Sequence, residues 1–283
     1  MASSYLNIVT FLLTTLFYYM TLKPSLSYDT FNNLQLMKDY TTNNYLYLAI
    51  YLLLVMVIQF IVNASIISTN CGGSISENMG SAGIFTFLPW TLIFGVLVLV
   101  LTIYPGFKSA FSDVIGYFYI SNSANSLLTE LLIDKDIQTK LDNDNEMSSQ
   151  DKEAMQSAAD TIIKICGNTS ILINQIVPSN FNDYWNILRP LRKKQYQNDS
   201  TETLEKKKEL FELVVTRDNV GEAMWFIYTG ILLTSIVQLK ITTKGCSSNP
   251  KTMEKNYQNF LKEESKAKTS QEKATSTTYT ITS

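Results

Sequence analysis

YLYLAIYLLLVMVIQFIVNASII, residues 45–67, carries no charged side chain. Coiled as an α-helix it extends about 34 Å, enough to cross a hydrocarbon core of about 30 Å. The surrounding run is longer still: no charge intervenes between Asp39 and Glu77, nor between Glu77 and Lys108. Within the second run, Gly83 to Tyr104 (GIFTFLPWTLIFGVLVLVLTIY) supplies another crossing. Inside lipid the backbone polar groups must satisfy one another, so both segments read as helices. The fold class expected is an all-α, multi-span integral membrane protein.

Outward from this pair, Asn219 to Lys240 (NVGEAMWFIYTGILLTSIVQLK) is uncharged from Ala223 to Leu239. It crosses if Glu222 stays at one interface and Lys240 snorkels at the other. Leu6 to Leu22 (LNIVTFLLTTLFYYMTL) is shorter and threonine-rich. It reads as a crossing helix, an interfacial helix or the apolar part of a signal peptide. Crossing is favoured because no Lys or Arg precedes Lys23, although Ser25-Leu26-Ser27 would serve for cleavage. Four spans are expected, with three as the alternative. The chain then divides into a membrane region over 1–108 (spans near 6–22, 45–67 and 83–104), a helical soluble or interfacial insertion over 109–218, the last span over 219–240, and a polar tail over 241–283.

Residues 23–44 read as a polar connection and 68–82 (STNCGGSISENMGSA) as a short turn. The insertion opens with Phe107, Phe111, Val114, Ile115 and Phe118, then Leu127, Leu128, Leu131 and Leu132, at the three- and four-residue intervals of an amphipathic helix. Ser121-Asn122-Ser123 is expected to break it in two. Tyr117 and Tyr119 suit interfacial depth, while packing against the protein's own spans is the favoured use of the first part. Further helices are expected over Gln150–Cys166 and Leu204–Thr216, the latter leading into the last span. Between them, Pro178 and Pro190 punctuate an apolar cluster of Phe181, Tyr184, Trp185, Ile187 and Leu188. From about Ser247 the tail, rich in Lys, Glu, Ser and Thr, is expected to be disordered. Its eight lysines against four glutamates over 240–283 suit anionic lipid or an acidic partner.

The chain has no histidine, which excludes Ser-His-Asp and Cys-His catalysis and His-ligated metals. Cys71, Cys166 and Cys246 are far apart and read as free thiols, although four crossings would put Cys71 and Cys246 on one side. A net charge of −2 gives no reason to expect specific nucleic-acid binding. Basic residues flank the spans almost equally on both sides, so orientation stays open. Sequons at Asn168 and Asn198 would be available on a lumenal face.

Asp142, Asp144, Glu146, Ser148, Gln150 and Glu153 fall at the ligand positions of a calcium loop. Met147 occupies the place that needs glycine, so an acidic surface loop is expected and no metal or cofactor is assigned. Arg189, Arg192, Lys193, Lys194, Lys206, Lys207 and Lys208 form a basic stretch, read as a contact for a partner or lipid phosphates, or as the counterpart of that acidic loop. Gln59, Asn63 and Gln238 are the polar residues within spans, expected as interhelical hydrogen-bond partners rather than an ion path. Pro89 and Gly95 are expected to kink the third span, and Gly83, Gly95 and Gly230 would permit close helix contact in a homo-oligomer. No nucleophile–base pair is present, and a lipid-acting enzyme would have to rely on the interfacial acids Asp113 and Glu222.

The order of local motifs adds a resemblance. Asn70-Cys71-Gly72-Gly73, Phe87-Leu88-Pro89-Trp90, Ile93-Phe94-Gly95, Tyr104-Pro105-Gly106-Phe107-Lys108, Phe111-Ser112-Asp113 and Ile115-Gly116-Tyr117 come first. Leu172-Ile173-Asn174-Gln175-Ile176, Asn180-Phe181, Tyr184-Trp185, Arg189-Pro190-Leu191, Arg217-Asp218-Asn219-Val220 and Trp225-Phe226-Ile227-Tyr228-Thr229-Gly230-Ile231-Leu232 follow. Over about residues 45–240 this resembles a family of multi-span virion membrane proteins of nucleocytoplasmic large DNA viruses of algae and other protists. It departs from the family pattern at Phe107, where tryptophan is commoner, and at Asp113, where asparagine is usual. The resemblance implies a structural, non-enzymatic protein of the viral inner membrane, with lipids and capsid or other virion membrane proteins as partners.

Overall fold

The computed structural model describes residues 5–71, 74–132, 168–243 and 250–275. No β-strand occurs among them; one isolated bridge joins Leu132 and Arg192. The protein is all-α and multi-span. Its principal helices are α1 (Leu6–Phe17), α2 (Tyr28–Phe31), α3 (Leu34–Cys71), α4 (Ile75–Pro89), α5 (Val96–Ile103), α6 (Ser109–Phe111), α7 (Tyr117–Leu131), α8 (Thr169–Gln175), α9 (Phe181–Ile187), α10 (Thr201–Thr243) and α11 (Pro250–Thr275). Three stretches are long and apolar enough to cross a membrane: Leu34–Cys71, Ile75–Ile103 and Thr201–Thr243. The apolar helix Leu6–Leu22 is shorter.

Several boundaries differ from expectation. α3 begins at Leu34, so half of the supposed polar connection is helix; Thr41 and Thr42 turn their hydroxyls onto the carbonyls of Met37 and Lys38, so they are satisfied within the helix and do not end it. α4 begins at Ile75 because Ser74 and Glu77 form a reciprocal capping box, satisfying end N–H groups that the turn reading left unassigned. After Pro89 the third span runs through a π-helical stretch, Trp90–Gly95, rather than a simple kink; proline cannot donate to the ladder and the register widens. Ser121–Ser123 do not break a helix: α7 runs through them, with Asn122 and Ser123 on its exposed side and the Ser121 hydroxyl bonded to the Phe118 carbonyl.

The tail also differs, since Pro250–Thr275 is helical where disorder was expected. Pro250 at the first position, good helix formers such as Lys, Glu, Gln and Ala, and the Glu264–Lys268 ion pair one turn apart explain it. The Gln150–Cys166 helix and the Asp142–Glu153 loop lie outside the described residues.

The chain separates into two compact units. One comprises Met1–Leu13, Leu54–Ile93 and Gly230–Ser283. Its apolar core joins Val62, Ala64, Ile66 and Ile67 of α3, Ala82 of α4, and Val237 and Ile241 of α10, with Cys71 packed against them. A side chain at Gly230 would strike the Phe11 ring, itself 5.4 Å from that of Trp90. Gly230 thus serves contact within the chain, whereas Gly83 meets its neighbours only at ordinary distances.

The other unit comprises Thr14–Leu53 and Phe94–Thr229. It holds a helical head whose core is Ile120, Ala124, Leu127, Leu128 and Leu131 of α7, Leu172 and Ile173 of α8, Phe181 and Trp185 of α9, and Leu210, Phe211, Val214 and Val215 of α10. Leu26, Tyr28 and Phe31 pack on this core, so the segment after Lys23 belongs to the head. Phe181, Trp185 and Leu188 of the expected apolar cluster are buried, while Ile187 is exposed.

The segment from α6 into α7 runs antiparallel along α10 at close range. A Cβ at Gly116 would lie 2.5 Å from the Arg217 carbonyl oxygen, and one at Gly221 would lie 2.8 Å from the Ser112 nitrogen. Each glycine thus faces backbone that cannot rotate away. Gly116→Ala is expected to lower stability by about 1–3 kcal/mol, despite alanine's better helix propensity, because the two helices must separate. Thermal unfolding in lipid nanodiscs checks this, with Gly106→Ala, which meets nothing, as the control.

Candidate functional site

Charge is concentrated in one buried cluster of the unit that holds the head. Lys23 follows the helix Leu6–Leu22, Lys108 ends the Pro105–Lys108 turn after α5, and Asp218 and Glu222 stand one turn apart on α10. The Lys23 ammonium donates to Glu222 Oε1. Lys108 Nζ lies 2.7 Å from Glu222 Oε2 and 3.2 Å from Asp218 Oδ2, and the Tyr19 hydroxyl donates to Glu222 Oε1 at 3.1 Å. All four charged side chains are at most 16 % exposed, yet two cations meet two anions and the cluster is neutral. It fastens the chain entering the head, the end of the third span and the start of the last span at one point. The sequence shows each charge at a span end, but their meeting depends on residues up to 199 positions apart.

Beside it the interior is filled with rings. Tyr18 stacks on Tyr51 at 4.5 Å, Tyr51 on Phe226 at 5.7 Å, and Phe94 lies 5.5 Å from Phe226. All four are buried, and the Tyr51 hydroxyl bonds Thr15 at 2.8 Å.

A second device anchors the head. Arg217, fully buried on α10, donates to the carbonyls at the end of α8: Nη1 to Ile173 and Nη2 to Ile176, the latter at 2.9 Å. Helix C-terminal carbonyls lack intrahelical partners, and a guanidinium suits them in charge and shape. Asn174 completes the joint by donating to the Asp113 carbonyl at 3.0 Å.

In the other unit, Gln59, Asn63 and Gln238 act as the interhelical partners expected. Asn7 Nδ2 donates to Asn63 Oδ1 at 3.0 Å and to Gln238 Oε1 at 3.1 Å, and Asn63 Nδ2 donates to the Thr86 hydroxyl at 2.8 Å. Gln59 Nε2 donates to the Asn7 carbonyl at 3.0 Å. Asn63→Leu is expected to cost about 1 kcal/mol in lipid, near the usual worth of such bonds. Thermal unfolding beside a Thr86→Val/Asn63→Leu double variant measures their coupling.

The basic stretch is not gathered into one site. Arg192 is buried with its guanidinium 4.2 Å over the Trp185 ring, and burial lowers its pKa. Arg189 donates to the Gln197 carbonyl and Lys193 to the Thr129 carbonyl. Lys206 pairs with Glu130 at 2.8 Å and with Glu209 at 3.4 Å, and Lys208 with Asp29 at 2.8 Å, so their described carboxylate partners come from α7, α10 and the segment before α3. The Lys206 hydrogen bond holds the Glu130 carboxyl below its ordinary range, and the same bond raises Lys206. Lys207 lies over the Tyr28 and Trp185 rings, and Lys194 is exposed. Lys208 precedes Asp218 by ten residues of continuous helix, about 15 Å, which puts the lysine triplet well out from the last span's start.

Cys71 is disulfide-bonded, against the expectation of free thiols; the other two cysteines lie outside the described residues. Among the described residues no group of His, Cys, Asp and Glu could hold a metal ion. The chain matches no family model, no curated protein and no solved structure.

Proposed function

We propose that this chain is a structural component of the inner lipid membrane of a large DNA virus, anchoring a helical head that contacts capsid or core components. The observation that carries this reading is α10: one uninterrupted helix contributes Leu210, Phe211, Val214 and Val215 to the head core and continues as the last span. The neutral cluster around Glu222 adds rigidity at the join. We assign no catalytic role, since Glu222, one of the two interfacial acids, is engaged by two lysines and a tyrosine.

The virion assignment rests on the motif resemblance, and membrane lipids and neighbouring virion proteins are the partners proposed. Crosslinking with mass spectrometry on the native membrane or purified particle tests it. Links from Lys193, Lys194, Lys206, Lys207 or Lys208 to capsid or core proteins are expected. Links confined to copies of this chain, together with ion or solute flux in reconstituted vesicles, would replace it with an oligomeric channel or small-solute transporter. The rings of Tyr18, Tyr51, Phe94 and Phe226 count against a path through their unit, so that channel would conduct between copies.

A further inference from the structure

We infer that the outward face of the segment Tyr104–Tyr119 is a membrane-surface docking face, with Phe107, Val114 and Phe118 inserted at the boundary between lipid headgroups and acyl chains. This inference requires only that the spans sit in a bilayer and is independent of any virion role.

Depth is read from α10. Ser112 lies against Gly221 and Gly116 against Arg217, so four residues of one helix match four of the other in opposite directions. Phe111 lies 4.9 Å from Trp225, and Trp225 Nε1 donates to the Phe107 carbonyl at 2.8 Å. Phe107 is thus level with Trp225, inside the uncharged run that starts at Ala223. Gly116 is level with Arg217, about 9 Å before that run at 1.5 Å per residue. Phe118 stands about one half-turn further out. From Phe107, about 3 Å inside the run, to Phe118, about 12 Å before it, the segment passes through the hydrocarbon edge and the headgroup layer, and helical side chains lean toward the helix N-terminus, which carries the Phe118 ring back toward the lipid.

The exposure pattern points to the same level. Phe107 is 56 % exposed, Val114 67 %, Phe118 81 % and Tyr119 71 %. Beyond Tyr119 the exposed positions of the same helix are Asn122, Ser123, Ser126, Thr129 and Glu130, all polar. A helix facing water along its whole length would have no reason to change composition after one turn. A change from apolar to polar side chains along the exposed side of one helix is what a water–lipid boundary produces, with aromatic rings at the boundary itself.

The chemistry of the occupant follows from the lining. Beside Phe118 a cavity of about 500 Å³ is bordered by Asp113, Val114, Ile115, Tyr117, Ser121, Ser170 and Asn174. Its polar lining includes the Asp113 carboxylate and no lysine or arginine, while the Ser121 hydroxyl and the Asn174 amide already donate to backbone carbonyls. Zwitterionic headgroups such as phosphatidylcholine and phosphatidylethanolamine, whose ammonium end can face that carboxylate, suit it, and anionic lipid gains nothing there.

Phe118→Trp and, as reference, Ser126→Trp in the full chain, each reconstituted in phosphatidylcholine nanodiscs, test the inference. The fluorescence of the unsubstituted chain is subtracted, and a melting curve confirms that each variant folds. The added tryptophan at 118 is expected to emit at shorter wavelength and to be quenched by lipids brominated near the headgroup end of the chain, with iodide having little effect. The one at 126 should respond to iodide alone. Adding anionic lipid should leave both unchanged. Iodide quenching at 118 without bromine quenching would overturn the inference. So would protection from both quenchers that disappears on dilution, which would give this face to a second copy.

Discussion

Glu222→Leu is expected to lower the stability of the reconstituted protein by about 3–5 kcal/mol, the scale for removing one partner of a buried ion pair. The loss arises from what remains. Lys23 keeps no carboxylate of the cluster, and Lys108 is left with Asp218 alone at 3.2 Å, although the two ammonium side chains are only 7 % and 14 % exposed. Lys23→Met/Glu222→Leu should recover much of the loss, because it removes one charge of each sign and leaves the Lys108–Asp218 pair intact. Thermal or denaturant unfolding of the two variants in the same nanodiscs decides the matter. Equal destabilisation of single and double variants would mean that shape, rather than charge, makes Glu222 necessary.

Arg217→Met should cost about 3 kcal/mol. Hydrogen bonds from a charged donor contribute about 1.5–3 kcal/mol each, and two buried carbonyls would lose theirs. Methionine preserves much of the aliphatic volume, so the deficit isolates the bonds to Ile173 and Ile176. Arg217→Lys should fare little better, since one ammonium cannot reproduce the planar fork that reaches both. Hydrogen exchange locates the effect: amides of α8 should exchange faster in either variant while those of α3 keep their protection. Uniform acceleration through the head would show instead that Arg217 supports α7 and α10 packing directly.

The sequence by itself determined that this protein is helical and lies in a membrane, since both follow from local composition. Residues 45–67 and 83–104 are uncharged and long enough to cross, and no neighbour can change that requirement. The apolar spacing of Leu127, Leu128 and Leu131 likewise announced the buried side of α7, and the amides at 59, 63 and 238 were legible as partners because lipid offers them no other. Local evidence misled where a second signal competed: residues 23–44 read as a polar connection and the Ser-Asn-Ser of α7 as a break, but the part from Leu34 and the Ser-Asn-Ser both lie within helices.

Only the tertiary structure decided which lysine met which acid. Lys23 and Glu222 stand 199 residues apart, and several other acids were equally available in the sequence. It also dispersed the basic stretch, burying Arg192 against Trp185 and pairing Lys206 and Lys208 with separate acids, because helix faces rather than nearness in sequence choose partners. The notch at Gly116 and the exposure of Phe118 arise in the same way: how closely two helices approach, and which side remains uncovered, exists only once both are in place.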